Sequence, residues 1–224
     1  MLRDALLIAG RDLRVEWRSR VATNQVAPLA LVIVMLFAFA LDPARGILAR
    51  AAPGLFWVAV VLCALLIVQR AATVESGDGV RDALRLTALS PAGMFLGKVL
   101  AIGAELLALE ALLLVGVIVL YNAAPSAEGW PLVVATAALA TACIAAAGTL
   151  YGVLASGLRV RDTLLPLLLL PVLAPVLIGA TRAFEAAFAG VPADGWLWLG
   201  LLGVFALVYI VIGALAYGPL LEET

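Results

Sequence analysis

Hydrophobic positions run along this chain in long unbroken blocks, separated by short polar segments. A helix crossing about 30 Å of hydrocarbon at about 1.5 Å per residue needs about 20 mostly apolar residues. Six blocks reach that length, at roughly 21–41, 51–69, 93–121, 130–156, 163–181 and 196–217. The pattern predicts an all-α integral membrane protein with six transmembrane helices in a domain spanning 21–217. The first twenty residues follow another rule. Leu2, Leu6, Ala9, Leu13 and Trp17 recur at steps of four, three, four and four, which makes one apolar helical stripe. Arg3, Arg11, Arg14 and Arg18 lie mostly off it, so 1–20 reads as an amphipathic interfacial helix resting on anionic lipid.

One polar interruption stands out. Segment 70–92 carries Glu75, Asp78, Gly79, Arg81, Asp82, Leu84, Arg85, Leu89, Ser90 and Pro91 between the second and third blocks. A charged insert of this length is stable only in contact with water. Val80, Leu84 and Ala88 form a helical stripe between Gly79 and Pro91. Ser90 suits a helix cap and Pro91 a first helical turn. A short amphipathic helix here needs lipid or a partner protein to cover its apolar side.

Composition supports the membrane reading. The chain is 65% hydrophobic and 13% charged, with mean hydropathy +1.16, whereas soluble domains run at roughly 45–50% apolar. A net charge of −1 implies no nucleic-acid partner. There is no histidine among the 224 residues, which removes imidazole bases and imidazole ligands for zinc or haem iron. Cys63 and Cys143 sit inside apolar runs and read as packing residues. The run from Leu6 to Gly10 is too short for the apolar region of a cleavable signal peptide.

The basic residues set an orientation. With six crossings, eleven of them (Arg3, Arg11, Arg14, Arg18, Arg20, Arg70, Arg81, Arg85, Lys98, Arg159, Arg161) fall on the side of the N-terminus, against Arg45, Arg50 and Arg182 on the other. That side is the cytoplasm, and it holds both termini, the 70–92 segment and a tail over 218–224. Trp57, Trp130, Trp196, Trp198 and Tyr121 fall near outer span ends, and Tyr151 and Tyr217 near inner ends, as interfacial aromatics do.

Several features could carry chemistry. Glu105 and Glu110 lie inside the third span, where a carboxylate is costly and turns toward a bundle interior or a water-filled cavity. Five residues apart, they point about 140° from each other and do not make a paired-carboxylate site. They read as gating or pathway residues, or as structural groups bonded to a neighbouring helix. Pro166, Pro171 and Pro175 crowd the fifth span, giving either a deformable segment or a fixed kink. Gly93 with Gly97, and Gly148 with Gly152, have the spacing of close helix contacts. Phe184 and Phe188 make one face of a short outer helix, for packing. No phosphate-binding loop is present, so ATP, if used, binds another chain.

Together these pieces resemble the membrane subunits of type-2 ABC transporters, with six spans, an N-terminal interfacial helix and a coupling helix between spans two and three. Glu75, Asp78, Leu84, Leu89, Ser90 and Pro91, followed by Gly97-Lys98, are similar to that coupling region. A narrower resemblance is to the CcmB family, haem exporter protein B of cytochrome c maturation. It rests on residues 52–58 (Ala-Pro-Gly-Leu-Phe-Trp-Val), on the coupling segment and on residues 170–179 (Leu-Pro-Val-Leu-Ala-Pro-Val-Leu-Ile-Gly), and it covers nearly the whole length. Glu110 is similar to a carboxylate of some members, whereas Glu105 and the short spacing from Pro91 to Gly97-Lys98 depart from the pattern. The resemblance implies a non-catalytic permease subunit of the bacterial inner membrane, a homodimer bound to a soluble CcmA-like ABC ATPase, with CcmC- and CcmD-like membrane partners. Haem would be cargo, with no cofactor held by this chain. The alternatives are an ABC permease for a lipid-linked glycan or drug, a proton-coupled carrier using Glu105 or Glu110, and a non-transporting assembly scaffold.

Overall fold

The computed structural model describes residues 1–20, 22–41, 46–75, 90–156 and 161–223. They form α1 (Leu2–Ser19), a π-helical turn (Ala22–Val26), α2 (Ala27–Ala40), α3 (Ile47–Glu75), α4 (Pro91–Tyr121), α5 (Trp130–Ser156), α6 (Arg161–Phe188) and α7 (Pro192–Glu223). No strand occurs among the described residues. Helices α3 to α7 are each long and apolar enough to cross a membrane, and a sixth crossing arises if α1 and α2 form one bent span. The protein is thus an all-helical membrane protein with five to six candidate spans.

The first predicted span departs most from expectation. It is not one helix over 21–41, but a π-helical turn followed by the 14 residues of α2. Pro28 supplies the reason. It has no N–H to give the carbonyl four residues back, and its ring crowds that carbonyl, which widens the turn before it. At about 1.5 Å per residue, α2 covers only about 21 Å.

Helix α5 occupies the centre and packs on α3, α4, α6 and α7. Its sequence explains this: Ala140, Cys143, Ile144, Ala145 and Ala146 are fully buried, and small side chains let neighbouring backbones come close. Gly148 sets the approach to α3, since a Cβ there would lie 2.5 Å from Val68 Cγ2. On its other side α4 carries α1 and α2. Helix α7 turns an apolar face outward through Leu197, Val204, Leu207 and Leu215, as a lipid-facing helix does.

Three further expectations need correction. The fifth span and the outer helix are one continuous helix, α6, running to Phe188. Its buried stripe, Leu165, Leu169, Leu173, Val176, Ala180 and Phe184, passes without a break beside Pro166, Pro171 and Pro175. Near Pro175 the Tyr209 hydroxyl donates to the Val172 carbonyl at 2.8 Å, next to the Pro171 carbonyl that Pro175 deprives of its helical donor. Trp57 is not a lipid-facing interfacial ring. It is 1% exposed and lies edge-on to Phe56 and Phe184, with centroids 5.3 and 5.1 Å away. Tyr217 is likewise buried, against Phe95, whereas Trp130 and Trp196 are exposed.

Candidate functional site

The chemistry-bearing residues gather where α1 lies across the ends of α3 and α4. The residues of α1 that face the bundle are not its leucines. Ala5, Ile8 and Ala9 are buried, while Leu2, Leu6 and Trp17 of the predicted stripe point away from the protein. That outward direction suits a lipid-facing surface. Asp4, Ile8, Asp12 and Glu16 recur every fourth residue and so share the face turned to α4 and α3. Gly93 and Gly97 allow the approach: a Cβ at Gly97 would lie 2.7 Å from both the Ala5 carbonyl oxygen and Ile8 Cβ.

Each acid on this face meets a partner. Asp4 Oδ2 accepts the Ser90 hydroxyl at 2.8 Å and the Ser90 N–H at 3.3 Å. Ser90 therefore starts α4 in extended backbone, as expected of a cap, but its hydroxyl does not cap the helix. The Asp4 carboxylate takes up the negative position at the N-terminus of α4 instead. The Ser90 hydroxyl and N–H, with the N-terminal ammonium 3.3 Å away, hold the Asp4 carboxyl below the usual carboxylate range. Asp12 receives Arg11 at 2.8 Å and Lys98 at 3.8 Å. Glu16 pairs with Arg70 at 3.0 Å, and Arg70 also donates to the Ser19 hydroxyl at 2.7 Å.

Beneath this layer lies a cleft of ≈ 820 Å³, its open mouth included. α1 contributes Arg11, Asp12, Val15 and Glu16, and α3 contributes Ile67, Val68, Arg70, Ala71 and Ala72. α4 adds Lys98, Ala101, Ile102 and Glu105, and α5 adds Gly148, Thr149, Gly152 and Val153. Glu105 thus faces the cavity side foreseen for an intramembrane carboxylate. Glu110 does not join it. It is 3% exposed, turned to α5, with Oε1 accepting the Thr141 hydroxyl at 2.5 Å. Its Oε2 has no hydrogen-bond partner.

The remaining predicted site residues divide. Asp78, Gly79, Leu84 and Leu89 lie outside the described residues. Glu75 ends α3, and Ser90 and Pro91 begin α4, so the backbone brackets the segment between them. Cys63 and Cys143 are buried free thiols within the core. No group of three or more acidic or cysteine side chains suited to a metal ion occurs among the described residues. Sequence reading missed Asp4, Asp12 and Glu16 as tethers. Their four-residue spacing was the available signal.

Comparison with known proteins places these features in context. The CcmB family model, described as "CcmB protein", matches residues 3–223. The "Heme exporter protein B" of Haemophilus influenzae is 32% identical over 214 residues, covering 96% of this chain and 93% of its own. That of Paracoccus denitrificans is 32% identical over 215 residues, covering 95% and 94%. That of Escherichia coli K12 is 33% identical over 186 residues, covering 83% and 84%.

Proposed function

The chain belongs to the CcmB family, and from that premise we propose that it is the membrane permease subunit of an ABC-type complex serving haem export or haem delivery in c-type cytochrome biogenesis. The near-full-length family match carries this reading, and the relatives' name, heme exporter protein B, supplies the cargo class. In it the chain is non-catalytic, and ATP is hydrolysed on a CcmA-like partner. CcmC- and CcmD-like proteins and a second copy of this chain complete the assembly. The protein sits in a bacterial inner membrane with 1–20 as interfacial helix, 21–217 as transmembrane domain and both termini cytoplasmic.

Coupling falls to Glu75, Asp78, Gly79, Leu84, Leu89, Ser90 and Pro91. The geometry around them favours that role. Arg70 and Ser90 stand on either side of the segment, and both are tied to α1. A push on the segment would therefore reach α1, α3 and α4 together. A motor that contacts the segment differently in its ATP-bound and ATP-free states biases the bundle between two arrangements. With no imidazole in the chain, haem passing here could not be held through histidine. The test is complementation of a strain lacking the subunit. Leu84→Asp abolishes cytochrome c maturation if the docking assignment is right, and full complementation by that variant overturns it.

A second reading has one observation in its favour. Glu105 lines a cleft, as a proton-coupled carrier's carboxylate would. Transport by reconstituted chain alone, driven by an imposed pH gradient and lost in Glu105→Gln, would select it.

A further inference from the structure

The cleft under α1 is lined by three cations, Arg11, Arg70 and Lys98, and three carboxylates, Asp12, Glu16 and Glu105. This balance disfavours a ligand of one sign, because either sign would face a matching set of like charges. A zwitterion meets both sets. The charges are also arranged in depth. The ion pairs of Asp12 and Glu16 gather all three cations at the level of α1. Glu105 lies seven residues beyond Lys98 on α4, about 10 Å further into the bundle. It has no ion-pair partner among the described residues. Its side chain leans toward the N-terminus of α4, back toward the cationic layer. Val26, Ile67, Ile102 and Val153 supply an apolar part of the wall. Trp17, next in sequence to the cleft residue Glu16, points outward and gives acyl chains an apolar surface to follow.

We propose that this cleft holds the head group of a zwitterionic phospholipid with a primary ammonium, its phosphate against Arg11 and Arg70 and its ammonium against Glu105. A primary ammonium donates N–H bonds to a carboxylate, which a quaternary ammonium cannot do. The site therefore prefers phosphatidylethanolamine to phosphatidylcholine, and both features of its charge pattern disfavour phosphatidylglycerol.

The test is native mass spectrometry of the full chain released from detergent, titrated separately with phosphatidylethanolamine, phosphatidylcholine, phosphatidylglycerol and water-soluble O-phosphoethanolamine. One saturable phosphatidylethanolamine is expected, with the other two lipids weaker by about tenfold or more. Glu105→Gln should remove the preference for phosphatidylethanolamine over phosphatidylcholine, and Arg70→Gln should weaken both lipids alike, while Glu185→Gln on the far, exposed end of α6 should change neither. Equal or tighter binding of phosphatidylglycerol, an unchanged preference in Glu105→Gln, or undiminished lipid binding in Arg70→Gln overturns the proposal. Tighter binding of O-phosphoethanolamine than of the lipid overturns the lipid as its source.

Discussion

Replacing Gly97 by alanine tests a close backbone contact between α1 and α4. The new methyl would lie 2.7 Å from the Ala5 carbonyl oxygen and must retreat by about 0.7 Å to reach ordinary contact at 3.4 Å. The obstacle is backbone, with Ile8 Cβ at the same distance, so no side-chain rotation relieves it. Overpacking of this kind costs about 1–3 kcal/mol. Alanine also gains up to about 1 kcal/mol over glycine inside a helix. The net loss is therefore about 0–3 kcal/mol, a range too broad to interpret alone. Gly103, six residues along the same helix, supplies the matched control, because a Cβ there meets nothing nearer than Thr141 Cγ2 at 3.9 Å. Gly103→Ala should gain the helix term without the clash, so the two variants should differ by about 1–3 kcal/mol. Thermal unfolding in detergent reads that difference. Hydrogen exchange over 2–19 locates it: amides of α1 should lose protection in Gly97→Ala alone. Equal stability and equal α1 exchange in the two variants would refute the close packing of α1 on α4.

Other consequences follow from the same contacts. Thr141→Val removes the donor to Glu110 and leaves a buried carboxyl without its partner, at a cost of about 1–3 kcal/mol in thermal unfolding; Glu110→Gln, which keeps an acceptor, should cost less. Tyr209→Phe should cost about 0.5–1.5 kcal/mol and raise exchange around Val172, where a proline already thins the helical bonding. The Asp4 carboxyl is depressed in the folded state, so its contribution is present above its unfolded value and is lost as pH falls through the lower folded one. Protection of the Ser90 amide should therefore persist at mildly acidic pH and fall only below the usual carboxylate range, and Asp4→Asn should abolish that titration.

Five of the six spans were legible because length and apolarity alone define them, and lipid enforces both. Their ends were less so. Span five was expected to stop near Arg182, yet α6 continues. Arg182 pairs with Glu185 at 2.9 Å on the exposed side, while Phe184 stacks on Phe56 with centroids 5.1 Å apart. Trp57 misled for a related reason: an aromatic ring near a span end can serve the interface or the core, and only the neighbouring helix decides. The pair Gly93 and Gly97 was readable from its four-residue spacing, whereas of Gly148 and Gly152 only Gly148 makes a close approach. The acids of α1 were not, since Asp4 finds Ser90 86 positions away. Periodicity marked their common face without saying what it would meet. Glu105 and Glu110 were foreseen to diverge, and they do, one to the cleft and one to Thr141.

The proposal that the segment between α3 and α4 grips an ATPase is tested most directly by site-specific photocrosslinking from position 84 in cells, followed by identification of the captured protein. Capture of an ATP-hydrolysing subunit from position 84 is expected, together with loss of that subunit from mild-detergent purifications of Leu84→Asp. Recovery of the ATPase at wild-type level with that variant, or position 84 found facing the periplasm, would contradict it.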